Sequence, residues 1–259
     1  MNNVFALAGV VIKELYRRKD FYVLFVMTAI LTVMLGAMRF FDNADIVRFL
    51  KEICLMLIWV STLVIAITTA ARQIPAERES RTIFPLLAKP VSRWELIAGK
   101  FAGCWLACLI ALVVFYFFFG VITATREHAW PGAIFFEAFW LHGIFLAIVV
   151  ALVLLGSVAF TAQSSNATIC FIVVLGIMFA GGHLNRVADG LRGVSGNIVY
   201  AVYFAIPHLE WYDIRDKLVH DWQAIGWQIV GGATLYGALY TGLLLGLTWL
   251  VFHRKTLTL

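Results

Sequence analysis

The residues of this chain that are best suited to specific chemistry lie in a charged connector, residues 72–100, between two long apolar stretches. The connector contains Glu77-Arg78-Glu79, then Arg81-Thr82, then a short apolar turn, then Pro90-Val91-Ser92-Arg93. Charges at this density can pair with the surface of a partner protein. They can equally belong to a solvated link between two helices, and the residue types alone favour neither interpretation.

The spacing within the connector predicts its local structure. Ser92 is followed three residues later by Glu95, which is the pattern of a capping box that starts a helix. Thr82 can cap a shorter helix that has Pro85 in its first turn. We therefore expect a short helix, a break at Pro90, and a kinked entry into the next apolar stretch.

Enzymatic chemistry is not indicated by the sequence. Ala98-Gly99-Lys100-Phe101 lacks the upstream glycine and the Ser or Thr of a phosphate-binding loop, so we do not expect this chain to hydrolyse ATP. The apolar stretches contain neither a Ser/His/Asp set nor paired carboxylates. The chain is therefore not predicted to be an enzyme.

A metal site is also not predicted. Cys104 and Cys108 share a helix face at i, i+4, and soft ligands of this kind could hold copper. Cysteines in apolar runs more often serve as small packing residues, and we interpret these two, with Cys54 and Cys170, in that way. His183 has no second ligand in evidence, so we interpret it as an interfacial polar residue.

The composition indicates a protein whose solvent is lipid. Hydrophobic residues make up 62% of the 259 residues and charged residues only 14%, whereas soluble domains have about 45–50% and about 25%. We therefore expect an all-α integral membrane protein in contact with membrane lipid. The net charge of +5 suits anionic headgroups, and no nucleic-acid partner is expected.

Apolar stretches predict six transmembrane helices in one domain that covers residues 1–259. The polar step at residues 163–166 divides an apolar stretch of 45 residues into a hairpin, because a crossing needs only about 20. The expected spans are residues 21–38, 53–71, 101–123, 139–162, 167–182 and 224–252. No Asp, Glu, Lys or Arg lies in the middle of a span, which argues against a proton- or ion-driven carrier.

Two further segments are expected at the membrane surface. Residues 2–19 are amphipathic, with Val4, Ala8 and Val11 on one helical face, and predict an interfacial helix. The alternative is that they form the first turns of a longer first span. Residues 193–221 contain an apolar patch too short to span, followed by aromatic residues, which predicts a re-entrant or interfacial segment before the last span.

The distribution of basic residues predicts the orientation. If the amino terminus is cytoplasmic, the inner segments contain 12 of the 20 Lys and Arg residues, as the positive-inside rule requires. Both termini and the connector are then expected on the cytoplasmic side.

Two features inside the spans have alternative interpretations. Hydroxyl residues of the second span could line a transport pathway or could bond their own backbone; they are Ser61, Thr62, Thr68 and Thr69. Gly242-x-x-x-Gly246 in the last span permits close helix approach, and packing within one subunit is the use that we expect.

The connector resembles the loop between the second and third spans of ABC-2 type ABC transporter permeases. Their pattern runs E-x-E-x-G-T, then an apolar turn, then P-V-S-R, then a span that begins near G-K. This chain matches it at Glu77, Glu79, Thr82, Leu86, Leu87, Pro90, Val91, Ser92, Arg93, Gly99 and Lys100, and departs from it at Arg81 and Pro85. The form of the motif is similar to a branch that includes the permease associated with copper maturation of nitrous-oxide reductase.

The resemblance implies a permease subunit of an ATP-driven exporter in the cell inner membrane. Two permease copies or paralogues would pair, and a separate cytoplasmic ATPase would bind ATP and Mg²⁺, with no cofactor in this chain. The connector would be the coupling loop, and its coupling residues would be Glu77, Arg78, Glu79, Arg81, Thr82, Pro90, Ser92 and Arg93. The alternative is a membrane scaffold or assembly factor that holds a partner complex without transport.

Overall fold

The protein is described by a computed structural model that covers residues 2–16, 26, 30, 34, 44–79, 92–127, 132–191 and 194–254. In this part of the chain all regular secondary structure is helical, which confirms the expected all-α class. The helices are α1 (Asn2–Tyr16), α2 (Ala44–Ala71), α3 (Pro75–Glu79), α4 (Arg93–Glu127), α5 (Ala133–Ala159), α6 (Gln163–Gly190), α7 (Val194–Ala205), a 3₁₀ helix (Leu209–Tyr212), α8 (Arg215–Val219) and α9 (Trp227–Arg254).

Five stretches of the described helices are long and apolar enough to cross a membrane, so the protein is a multi-pass membrane protein. They are Arg48–Glu79, Arg93–Thr125, Ala133–Ala159, Gln163–Gly181 and Trp227–Arg254. The predicted first span, residues 21–38, lies outside the described residues apart from Val26, Ile30 and Met34, which are helical and exposed. The total of six spans therefore stays a prediction.

Helix α5 is the centre of the bundle. It packs against α2, α4, α6 and α9, and Phe145, Leu146 and Val150 in its middle are fully buried. This position follows from its sequence, because a helix that is apolar on all sides is stable only where other elements surround it. Helix α6 lies at the periphery, and most of its membrane-length window is not buried.

Helix α1 packs along the first turns of α4. A methyl group added at Gly99 would lie 2.6 Å from Cβ of Leu7, and one at Gly103 would lie 2.7 Å from Cβ of Val11. The apolar face predicted for residues 2–19 therefore contacts protein: Ala8 and Val11 are buried against α4, whereas Phe5 on the other side is exposed. Glycines four residues apart on α4 permit this close approach.

The other glycine pair has a different environment from the one expected. A methyl group at Gly242 or Gly246 of α9 would meet nothing within 4 Å. No described helix approaches these two residues, so the prediction that the pair serves packing within one subunit stays a prediction.

The boundaries of the hairpin between α5 and α6 differ slightly from the prediction. Helix α5 ends at Ala159 and α6 begins at Gln163, so the polar step 163–166 forms the first turn of α6. Asn166 is fully buried there, and its side-chain amide donates hydrogen bonds to the carbonyl oxygens of Ala71 (3.1 Å) and Val153 (3.3 Å). These bonds tie the hairpin to the end of α2.

The segment before the last span consists of α7, the 3₁₀ helix and α8. Helix α7 packs against α6 and exposes Ile198, Val202 and Phe204. The 3₁₀ helix and α8 pack against α5, and α8 also packs against α2. This segment covers one end of the bundle, and the prediction that part of it is re-entrant or interfacial stays a prediction.

Candidate partner-docking site at the connector

The described parts of the connector are residues 72–79, which turn from α2 into α3, and residues 92–100, which open α4. Arg81, Thr82 and Pro90 lie outside the described residues. We refer to the end of the bundle that carries the connector as the connector end, and to the other as the opposite end.

An ion pair joins α3 to α4. The Lys100 ammonium group donates to Oε1 of Glu77 at 2.6 Å and to Oε1 of Gln73 at 3.3 Å. Lys100 and Gln73 are both buried, at 4% exposure each. A buried ammonium requires such partners because an unpaired charge away from water is costly. The bridge therefore ties α3 to the first turns of α4.

The predicted capping box at the start of α4 is confirmed. The backbone N–H of Ser92 donates to Oε2 of Glu95 at 2.8 Å, and the backbone N–H of Glu95 donates to Oγ of Ser92 at 3.2 Å. Two N–H groups that lack helical acceptors are thereby satisfied. The cap fixes the residue at which the rigid helix begins.

Arg93 connects this start to the last helix. One terminal nitrogen of its guanidinium group donates to the carbonyl oxygens of Phe252 (2.8 Å) and His253 (2.9 Å), at the carboxyl end of α9. The guanidinium also lies over the ring of Phe252, 5.5 Å from its centroid. A cation is favourable at this position because the last carbonyls of a helix carry partial negative charge. Arg93 is thus bonded to another helix of the same chain.

The other charged residues at residues 72–79 differ in their exposure to solvent. Glu79 is exposed, while three buried polar atoms at this site have no hydrogen-bond partner among the described residues: Nε of Arg72, Oε2 of Glu77 and Nε of Arg78. Buried polar atoms are nearly always satisfied in folded proteins. Within the described residues 72–79, the connector thus exposes the Glu79 carboxylate and holds two donors and one acceptor that are buried without a described partner.

The hydroxyl residues proposed to line a pathway do not share one environment. Thr62 and Thr69 are buried in the bundle, whereas Thr68 is exposed and Ser61 is intermediate. The hydroxyls of Thr62 and Thr68 donate to the carbonyl oxygens of Ile58 (2.8 Å) and Val64 (2.7 Å). Thr62 and Thr68 thus bond to the backbone of their own helix, which was the alternative interpretation. The role of the four hydroxyl residues in a transport pathway stays a prediction.

A buried polar cluster at the centre of the bundle was not anticipated. His142 of α5 is fully buried; its Nε2 lies 2.9 Å from Oγ1 of Thr62, and its Nδ1 lies 3.4 Å from the Tyr116 hydroxyl. Its ring also stacks on Trp59 at 4.3 Å. Each ring nitrogen of His142 thus has one hydroxyl group as its partner. Its only sequence signal is a single histidine in an apolar span.

At the opposite end, buried charges join the elements. The Lys51 ammonium group, 3% exposed, contacts the carboxylates of Glu127 and Asp221, the latter at 2.9 Å. Glu137, 1% exposed, accepts hydrogen bonds from the backbone N–H groups of Ile225 (2.8 Å) and Gly226 (3.2 Å). These residues bind the loop before α9 to α2, α4 and α5.

Arg215 links the opposite end to the central cluster. Its Nε and Nη2 donate to the two carboxylate oxygens of Asp213 at 2.8 and 2.6 Å, and this hydrogen bonding raises the pKa of Arg215. The guanidinium lies 5.1 Å from the ring centroid of Trp59. The Trp59 ring therefore contacts both His142 and the permanently charged guanidinium group of Arg215.

No described group of three or more His, Cys, Asp or Glu side chains has a geometry that could hold a metal ion. Cys104 and Cys108 are fully buried, as are the other two cysteines, Cys54 and Cys170. Their burial agrees with the interpretation as small packing residues.

One comparison with known proteins identifies a relationship. The family model described as "ABC-2 family transporter protein" matches residues 9–196, which is most of the chain and includes the whole connector. A comparison with curated proteins found no match.

Proposed function

This chain belongs to the ABC-2 transporter family, and from that premise we propose that it is the permease subunit of an ATP-driven exporter whose ATPase is a separate chain. The observation that carries the proposal is the construction of the connector. Its described part exposes the Glu79 carboxylate and is fixed to α4 by buried polar bonds.

The inward bonds supply a route for force. Glu77 is bonded to Lys100 of α4, and Arg93 at the start of α4 is bonded to the end of α9. A partner that displaces α3 therefore moves α4, because the Glu77–Lys100 bond would otherwise be broken in a buried setting, and the Arg93 bonds carry the movement on to α9. An unstructured link would absorb the same displacement.

The outward groups supply a surface for the partner. The exposed Glu79 carboxylate can pair with a cation of the ATPase, and Arg78 beside it belongs to the same proposed surface by sequence. Arg81, Thr82 and Pro90 belong to the same proposed surface by sequence. Glu77, Ser92 and Arg93 act instead by positioning the connector.

The remaining parts of the proposal follow from the family and the charge distribution. Two permease copies or paralogues pair, the ATPase binds ATP and Mg²⁺, and the connector and both termini lie on the cytoplasmic side of the inner membrane. The motif at residues 77–93 further supports a place in the branch similar to the permease of nitrous-oxide-reductase copper maturation.

The test is co-purification and turnover with the candidate ATPase. We expect Glu79→Lys to weaken binding of the ATPase by about fivefold, the upper range for an exposed ion pair. Arg93→Ala should leave that binding in place but reduce the transport-coupled ATPase rate, because the start of α4 is released from α9. The matched control is Glu52→Ala, which removes an exposed carboxylate from α2 near the opposite end.

Two results would contradict the proposal. If both variants bind and turn over as the unaltered protein does, the connector is not the coupling site. If the chain purifies from several mild detergents in a stable complex that contains no ATPase, the scaffold alternative is favoured.

A further inference from the structure

A cavity of about 490 Å³ lies at the opposite end of the bundle. Its walls are Leu141 of α5, Ile214 and Trp211 of the segment before α8, and Ile229 and Val230 in the first turns of α9. The volume is in the range of pockets that bind small molecules, which are mostly apolar with few polar groups. The cavity is well away from the connector and serves no step of the proposed coupling.

The position of the cavity suits the border between headgroups and acyl chains. Its deepest contact on α9 is Ala233, six residues after the first residue of that helix, Trp227, which corresponds to about 9 Å along the axis. Ile229 and Trp211 at its edge are exposed, at 65% and 51%. An exposed isoleucine and tryptophan at this depth are typical of a surface that faces lipid.

One charged side chain lines the cavity. Lys217 of α8 is the cation, and its ammonium group has no ion pair or hydrogen bond with another described residue. Asp213 pairs with Arg215 and Asp221 with Lys51, while Asp216, the residue before Lys217, is exposed. An unpaired ammonium beside an apolar cavity is complementary to a molecule with an apolar tail and an anionic head.

We propose that this cavity binds an anionic amphiphile, with one acyl chain among Leu141, Ile229 and Val230 and the anionic head at Lys217. Burial of the acyl chain against the apolar walls of the cavity removes it from water or from the bilayer. The Lys217 ammonium group attracts the anionic head, and one such cation near a membrane surface increases affinity about fivefold. This site is independent of the ATPase, so the proposal stands or falls separately from the proposed function.

The experiment uses the full chain in lipid nanodiscs and three photoreactive probes with the same diazirine-bearing acyl chain. The probes are a phosphatidic acid, a phosphatidylcholine and the free fatty acid, and cross-linked peptides are identified by mass spectrometry. We expect phosphatidic acid to label the peptide around Ile229 about fivefold more than phosphatidylcholine. Stronger labelling by the fatty acid would identify a free amphiphile, rather than a membrane lipid, as the occupant.

Matched variants separate the two parts of the site. Lys217→Gln should remove the preference for the anionic probes, whereas Lys217→Arg should keep it. Gly232→Leu should abolish labelling because Gly232 lines the cavity and has open space around it, while Gly231→Leu, next to it but outside the cavity, should not. Thermal unfolding of each variant checks that it is folded.

The proposal is overturned if phosphatidic acid and phosphatidylcholine label the cavity equally in the unaltered protein. It is also overturned if Gly232→Leu folds and is labelled normally.

Discussion

At the scale of single residues, the central histidine shows how polar bonds organise an apolar bundle. His142 sits on α5 and reaches Thr62 on α2 and Tyr116 on α4, so one side chain connects three spans. The sequence placed Thr62 among candidate pathway residues and did not single out His142 at all. Pairing between side chains 80 residues apart is set by how the helices pack, and no local pattern encodes it.

We predict that His142→Ala destabilises the protein and that the loss is partly shared with Thr62. In a double-mutant cycle with Thr62→Val, the coupling should be about 0.6 kcal/mol and at most about 1.7 kcal/mol, the range found for hydrogen bonds between membrane helices. Thermal unfolding in detergent measures it. His183→Ala removes an exposed histidine from α6 and should have no effect; strictly additive losses for His142 and Thr62 would show that the bond contributes nothing.

At the scale of elements, sequence patterns served best where a signal is local. The spacing of Ser92 and Glu95 predicted the start of α4 correctly, because a capping box involves only neighbouring residues. Other helices extend beyond the predicted spans. Lys51, Lys100 and Glu137 were placed outside the spans as charges, yet they lie within helices and are buried by distant partners.

We predict that contact between α1 and α4 depends on the glycines of α4. Gly103→Val should displace α1, because even the first carbon of the new side chain collides with Val11, and should cost about 1–3 kcal/mol as overpacked sites do. A cysteine introduced at Ala8, buried at 3% exposure, should then react with a maleimide that it otherwise resists.

The matched control for this contact is Gly246→Val on α9, where the added side chain meets open space. It should leave both the unfolding temperature and the reactivity at position 8 unchanged. Equal effects of the two substitutions would show that helix propensity, rather than the packing of α1, causes the loss.

At the scale of the whole molecule, the contacts divide the chain between two ends. Arg93 and the end of α9 lie together at the connector end, and Lys51, Glu127 and Asp221 lie together at the other. Composition was enough to predict a helical membrane protein, because that property depends on summed hydrophobicity. The central place of α5 and the packing of α1 were not predicted, since they depend on which faces meet.

We predict that the two ends are labelled from different sides of the membrane. In spheroplasts, an impermeant maleimide should react with Asp216→Cys, but with Glu79→Cys and His253→Cys only after permeabilisation; all three positions are exposed. The unaltered chain is the background control, since its four cysteines are buried. Reaction of Glu79→Cys in intact spheroplasts would place the connector outside the cell and remove the basis for coupling.

Side chains from other helices hold both ends of α9: Glu137 accepts from the loop just before it, and Arg93 donates to its last carbonyl groups. Its 28 residues form a stiff strut of about 42 Å. A displacement of Arg93 would therefore reach the other end of α9, because a rigid helix cannot absorb it, and the two ends of the bundle are mechanically linked through α9.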